Sequence, residues 1–222
     1  MTFGILAETG TMTLLQAWDV GGWLMWVLLA MSVMGAGLCL YFLGTLRLGA
    51  VVPNRLRRDL PKYLASDDPS EARRLCEDVP SPLSSVVLST LDAVRNAPRA
   101  DVTMIAKVAE SEGARQSDLI QGQTQWLLDI ATIAPMVGLL GTVIGMLQAF
   151  GAVATDVAAA KPTLLAEGVS KAIVTTIFGL IIAIPMMVFY AYFRRRASKL
   201  VAELEGACAE LIAVLGSKHV QG

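Results

Sequence analysis

The sequence predicts an all-α membrane protein with three transmembrane helices and long cytoplasmic helical extensions, and two observations support this prediction. Three long windows of the 222-residue chain carry no charged side chain: Val20–Leu46, Ile130–Thr155 and Ala172–Phe193. An apolar run of about 18 residues or more is typical of a membrane-spanning helix. The composition agrees, since 55% of the residues are hydrophobic and 17% are charged, against about 25% charged in a typical soluble domain.

The same composition excludes several classes of protein. A net charge of −1 and a pI near 5.9 give no basic surface for nucleic acid, so no nucleic-acid partner is expected. The cysteines Cys39, Cys76 and Cys208 are odd in number and far apart, which disfavours a secreted disulfide domain. The single histidine, His219, leaves little for a metal centre or a catalytic triad. We therefore expect no metal, no cofactor and no enzymatic activity.

The distribution of cations predicts the orientation of the chain, because cytoplasmic flanks of membrane helices are enriched in Lys and Arg. No Lys or Arg precedes Arg47, and the loop between the second and third spans, up to Ser170, holds only Lys161. The first window lacks a cationic start and is long, which favours an uncleaved span over a signal peptide. The predicted order is a periplasmic N-terminal segment 1–19, transmembrane helix 20–46, cytoplasmic helical region 47–129, transmembrane helix 130–155, periplasmic loop 156–170, transmembrane helix 171–193 and cytoplasmic C-terminal helix 194–222.

Helix signals also mark the cytoplasmic parts. The sequence Asp68-Pro69-Ser70-Glu71 is typical of a helix start, and Pro80-Ser81-Pro82 ends that helix and precedes another, Leu83–Arg95. The stretch Asp101–Gln125 contains no proline and is expected to run unbroken into the second span. In the tail, apolar residues recur at spacings of 3 and 4, which predicts a helix that packs on the other cytoplasmic helices. They are Val201, Leu204, Cys208, Leu211 and Leu215.

Small residues form a stripe along the second and third spans. At about 100° per residue they fall on one face of each helix, and such stripes let helix backbones approach closely within a membrane. A proline inside each span removes a backbone hydrogen bond, and the carbonyl it leaves needs a partner from neighbouring protein. The predicted helix-packing residues are Gly138, Gly141, Gly145, Gly179, Ala183, Pro135 and Pro185.

The polar residues of these spans leave two interpretations open. Thr142, Thr175 and Thr176 either bond back to a carbonyl one turn earlier or, with several copies around an axis, line a polar path. Asp129 and Lys171 lie at the ends of the spans, as interfacial or pore-mouth charges. A proton path usually needs an ionisable group inside the bilayer, and the charge-free windows hold no Asp or Glu. We therefore expect the titrating carboxylate on another chain.

Two of these stretches resemble the signatures of a known family. Residues 130–146 (IATIAPMVGLLGTVIGM) and 168–185 (GVSKAIVTTIFGLIIAIP) are similar to spans two and three of ExbB/TolQ-type proton channels, which are distantly related to MotA. The resemblance implies a homopentamer in the bacterial inner (cytoplasmic) membrane, with an ExbD-like single-span partner dimer in its pore and a TonB-like protein beyond it. It implies that Thr142 and Thr176 line the pore. The chain departs from the family at Lys171, where characterised members carry Glu.

The predicted function is an ExbB-like subunit of a motor that is driven by the proton-motive force and energises TonB-dependent transport across the outer membrane. A TolQ-like envelope-maintenance or gliding motor and a non-conducting membrane scaffold remain open as alternatives. A MotA-like stator is disfavoured because MotA proteins have four spans and this sequence has three apolar windows. An intramembrane enzyme is disfavoured because the windows contain no His, Asp or Glu.

Overall fold

The structure is a computed structural model that describes residues 18, 21–65, 70–96, 102–155 and 162–221. Most of the predicted segment 1–19, and residues 156–161 of the predicted loop, lie outside these described residues. The described residues form helices and contain no strand. The helices are α1 (Trp23–Thr45), α2 (Leu48–Val51), α3 (Asn54–Ala65), α4 (Ser70–Asp78), α5 (Pro82–Asn96), α6 (Val102–Thr155) and α7 (Pro162–Gln221).

Three of the described helices are long and apolar enough to cross a membrane. They are α1, the Thr103–Gly151 part of α6 and the Gly168–Ala213 part of α7. Between 22% and 33% of their most apolar windows is buried inside the protein, so most of the apolar side chains face outward. The predicted all-α fold with three apolar spans is confirmed.

The two longest helices begin before the apolar windows that they contain. α6 is unbroken from Val102, which confirms that the polar stretch continues into the second span. α7 begins at Pro162, so residues 162–170 of the predicted loop are helical. Proline is tolerated in the first helical turn, because its missing N–H would have no partner within the helix.

The chain divides into two compact units, Met1–Cys39 with Leu127–Phe189, and Leu40–Trp126 with Tyr190–Gly222. The first unit is built around a small apolar core. Met25 and Leu28 of α1 pack there with Ala134 of α6 and Ala183 of α7. The core therefore joins all three apolar helices, with small residues on α6 and α7 facing large ones on α1.

In the second unit, α3 is a helix that the sequence analysis missed. Pro61 lies inside it, and an interior proline costs a helix about 3 kcal/mol. Leu56 and Leu60 are buried on one face of α3, and burial of a leucine side chain contributes about 1.5–3 kcal/mol. Tertiary packing therefore offsets the local cost of the proline.

The α4–α5 connection matches the predicted break. The N–H of Ser84 donates to Oγ of Ser81, and the N–H of Ser81 donates to Oγ of Ser84. This reciprocal pair caps α5 just before Pro82, where proline suits the first helical position. Arg73 of α4 donates to Asp92 of α5 at 2.7 Å, and its guanidinium holds the pKa of that carboxyl below its usual value.

The C-terminal part of α7 packs on helices of the same unit. Val201, Leu204, Cys208 and Leu211 of the predicted seam are buried. Leu211 lines a small apolar cavity of about 20 Å³ together with residues of α3 and α5. This confirms the prediction that the tail packs on the helices between the first and second spans.

Candidate functional site

The small-residue stripes of α6 and α7 face each other. A Cβ added at Gly179 would lie 2.8 Å from the carbonyl oxygen of Ala134, and one at Gly138 would lie 3.0 Å from the carbonyl oxygen of Thr175. Ordinary carbon contacts are about 3.5–4.0 Å. The two backbones therefore approach so closely that glycine is needed on both sides.

The same contact continues toward the start of α7. A Cβ at Gly145 would lie 3.1 Å from the carbonyl oxygen of Gly168 and 3.3 Å from Cβ of Ala172. One at Gly168 would lie 2.4 Å from Cβ of Ala149. The pairing of Ala149 with Gly168, and of residues earlier in α6 with residues later in α7, makes the helices antiparallel. Gly168 was not among the predicted packing residues, although it continues the spacing of the α7 stripe.

Thr175 lies inside this contact and is 1% exposed. Its Oγ1 donates to the carbonyl of Ala172 at 2.9 Å and lies 3.4 Å from the carbonyl oxygen of Gly138. A Cβ at Gly141 would lie 2.3 Å from the same Oγ1. Thr175 therefore packs between the two helices and bonds back to its own helix.

Thr142 and Thr176 lie at one level of the helix pair and are both half-buried. Oγ1 of Thr142 donates to the carbonyl of Leu139 at 2.6 Å, one turn earlier in its own helix. Oγ1 of Thr176 donates across to the carbonyl of Gly138 at 3.2 Å. Because Gly138 and Leu139 are adjacent, the two hydroxyls lie within about one helical turn of each other along the pair.

Lys171 lies one turn before Thr175 and is half-buried. Its Nζ donates to Oε1 of Gln148 on α6 at 3.4 Å. It also lies 3.5 Å from the place that a Cβ would occupy on Gly22, which has φ +65° in the turn before α1. Gln148 is a partner that the sequence analysis missed, since nothing in the spacing relates position 148 to position 171.

The other predicted residues have different places. Asp129 is half-buried near the opposite end of the α6 span. Ala183 belongs to the core of the first unit. Pro135 is half-buried and Pro185 is exposed, and each lies within an unbroken helix. No acidic or histidine side chain occurs in the windows 130–155 and 172–193, so these spans offer none of the carboxylate or imidazole ligands that metals prefer.

Comparison with known proteins places these helices in a family. The model of the MotA/TolQ/ExbB proton channel family matches residues 78–206, which include α6 and most of α7.

Individual relatives agree with this match. The Synechocystis sp. protein named putative biopolymer transport protein ExbB-like 3 is 28% identical over 142 residues, 64% of this chain and 66% of that protein. The biopolymer transport protein exbB1 of Vibrio cholerae is 38% identical over 76 residues, 34% of this chain and 33% of that protein. The Tol-Pal system protein TolQ of Pseudomonas aeruginosa is 29% identical over 121 residues, 54% of this chain and 52% of that protein.

The chain spans less than two thirds of the length of these relatives, from 33% to 66%. The family match itself covers more than half of the 222 residues, and the resemblance predicted from the two span motifs is confirmed. The chain belongs to the MotA/TolQ/ExbB proton channel family.

Proposed function

We propose that the chain is an ExbB-like subunit of an inner-membrane motor that uses the proton-motive force, with an ExbD-like partner, to energise TonB-dependent transport. The observation that carries this proposal is a pair of helices whose apolar windows, 130–155 and 172–193, hold no acidic residue and whose two half-buried threonines lie at one level, in a chain of a proton channel family. Two of the relatives are named for biopolymer transport, which supports the ExbB assignment.

The proposed assembly is a homopentamer around a central pore that holds a dimer of the single-span partner. The N-terminus is periplasmic and the C-terminus is cytoplasmic in this proposal, because Arg194, Arg195 and Arg196 follow the third apolar window and no cation precedes Arg47. A TonB-like protein passes the work to the outer membrane. The large apolar side chains exposed along the spans are then covered by neighbouring subunits and lipid.

Thr142 and Thr176 are the proposed pore-lining residues. Both residues are half-buried, whereas Thr175 is 1% exposed and packs against Gly141. A hydroxyl that already donates to a carbonyl still has acceptor lone pairs. Each can therefore accept a hydrogen bond from a protonated carboxyl or a water in the path.

The proton-motive force is sufficient in magnitude for such a motor. One charge that crosses 100 mV supplies about 2.3 kcal/mol. A few protons for each step therefore provide enough free energy to turn a packed helix assembly or to strain a partner. The absence of acidic residues from the apolar windows supports a carrying carboxylate on the partner chain.

Proton flux into liposomes tests the proposal. We expect flux with the partner and none without it. Thr142→Ala/Thr176→Ala should lower the flux about tenfold, since the variant loses two neutral hydrogen bonds that contribute about 0.5–1.5 kcal/mol each. Thr132→Ala is the matched control, because Thr132 is exposed on the same helix and bonds back to Leu128. Absence of proton flux with wild-type protein and its partner would indicate a scaffold. An unchanged flux in the double variant would show that the threonines do not line the pore.

A TolQ-like role is the second candidate. The relative from the Tol-Pal system covers 54% of this chain, whereas the exbB1 relative covers 34%. Growth tests separate the two roles. If the chain is ExbB-like, its expression in a strain that lacks ExbB is expected to restore siderophore-dependent growth. If it is TolQ-like, its expression in a strain that lacks TolQ is expected to restore detergent resistance.

A further inference from the structure

A polar cavity of about 280 Å³ lies within the second unit, beside the end of the third apolar window. Asp118, Gln121 and Gln125 of α6 line one side, and Tyr190 and Arg194 of α7 line the other. The proposed proton path does not use these side chains. The cavity brings one cation, one carboxylate and two amides together at the boundary between apolar and polar sequence.

The cationic side of the cavity is held in place by a tyrosine. Arg194 donates through Nη1 to the hydroxyl of Tyr190, and its Cζ lies 5.7 Å from the centre of the same ring. Tyr190 is itself 8% exposed, so it anchors the guanidinium to the helix surface. A guanidinium has five N–H donors in a planar fork that matches phosphate oxygens. Arg194 can therefore bind a phosphate while it keeps its bond to Tyr190.

The carboxylate of Asp118, on the other side of the cavity, is not paired with the guanidinium of Arg194. Asp118 forms no ion pair of 4.0 Å or less with any residue that the structure describes. A single anion such as inorganic phosphate would be attracted by Arg194 and repelled by Asp118. A ligand that carries a phosphate and an ammonium would satisfy both side chains.

The order of the two charges along the helices matches the order in a phospholipid headgroup. Arg194 directly follows the charge-free window 172–193, whereas Asp118 precedes Ile130 by 12 residues, about three helical turns. In an aminophospholipid the phosphate lies next to the glycerol and the ammonium lies farther from the acyl chains. Trp126, 62% exposed on α6 between Asp118 and the apolar window, is typical of the headgroup level of a membrane.

We propose that this cavity binds the headgroup of a zwitterionic aminophospholipid, with the phosphate on Arg194 and the ammonium on Asp118. The amides of Gln121 and Gln125 lie within the same cavity and can bond the remaining phosphate or glycerol oxygens. The proposal rests on the membrane placement of the spans and not on ion conduction. Lipid retention therefore tests it separately from proton flux.

Native mass spectrometry of the purified full chain, exposed to equal amounts of phosphatidylethanolamine and phosphatidylglycerol, tests the assignment. We expect about tenfold preference for phosphatidylethanolamine, the factor that one charge-assisted hydrogen bond provides. Asp118→Asn should remove the preference, and Arg194→Gln should lower retention of both lipids about tenfold. Arg195→Gln is the matched control, since Arg195 is exposed and does not line the cavity.

Soluble competitors separate a lipid headgroup from free phosphate. Phosphoethanolamine should displace the retained lipid at lower concentration than inorganic phosphate does. Equal displacement by the two would overturn the assignment of the ammonium to Asp118. Equal lipid retention by Arg194→Gln and Arg195→Gln would overturn the site itself, and circular dichroism of each variant establishes that it is folded.

Discussion

The contact between α6 and α7 predicts that Gly179→Ala destabilises the protein. The added Cβ would lie 2.8 Å from the carbonyl oxygen of Ala134 and would face the backbone of Gly138. Neither neighbour is the flexible end of a side chain, so the helices themselves must move apart. The hydrogen bond from Thr176 to the carbonyl of Gly138, 3.2 Å long, is expected to lengthen with them.

The magnitude follows from the size of the overlap. At 2.8 Å the added carbon lies about 0.7 Å inside the 3.5 Å limit of an ordinary contact, and overpacking of this kind costs about 1–3 kcal/mol. Alanine also gains about 1 kcal/mol of helix propensity over glycine. Gly37→Ala on α1 is the matched control, because nothing lies within 4 Å of a Cβ at that position. The difference between the two variants isolates the overpacking term.

The free energy of unfolding is measured in mixed micelles, with increasing sodium dodecyl sulfate and helicity followed by circular dichroism. We expect Gly179→Ala to be less stable than Gly37→Ala by about 1–3 kcal/mol. If the two variants have the same stability within about 0.5 kcal/mol, the helices are not in the close contact described, and the reasoning is refuted.

Two further predictions concern charged side chains. Lys171→Glu is expected to keep assembly with the partner in a pull-down, because the amide of Gln148 can turn to donate to a carboxylate; complete loss of assembly would contradict this. Arg73 lowers the folded-state pKa of Asp92. Their pair therefore stabilises the folded protein above about pH 4, the ordinary pKa of the carboxyl, and this stabilisation is lost as the pH falls through the lowered pKa. Asp92→Asn should therefore show a smaller drop in melting temperature than wild type between about pH 5 and pH 3, and an equal drop would exclude this pair as the source.

The sequence was sufficient to predict the three apolar spans and the small-residue faces of two of them. The absence of charge identifies the spans, and a 3.6-residue period identifies Gly138, Gly141 and Gly145 as one face, because both properties belong to a single helix. Which neighbour covers a stripe is a property of the tertiary fold. The pairing of the α6 stripe with the α7 stripe of the same chain therefore could not be predicted from either span.

The roles of neighbouring threonines show the same limit. Thr175 and Thr176 differ by about 100° around α7, and both border the small-residue face. The structure turns Thr175 toward Gly141 and leaves Thr176 half-buried at the edge of the contact. The pairing of Lys171 with Gln148 depends on the register between two antiparallel helices, which no spacing within one helix contains.

The packing of the two spans gives a physical reason for their lack of acidic residues. The face that they share has no space for an ionisable side chain, since even a Cβ at Gly141 would lie 2.3 Å from Oγ1 of Thr175. The edge of the contact offers the hydroxyls of Thr142 and Thr176, which are already bonded to carbonyl oxygens. A carboxylate placed there would face those carbonyl oxygens, which disfavour its ionised form. Under the proposed function, the titrating group is therefore best carried by a separate chain that moves past these hydroxyls. The closely packed spans of α6 and α7 form the fixed side of that path.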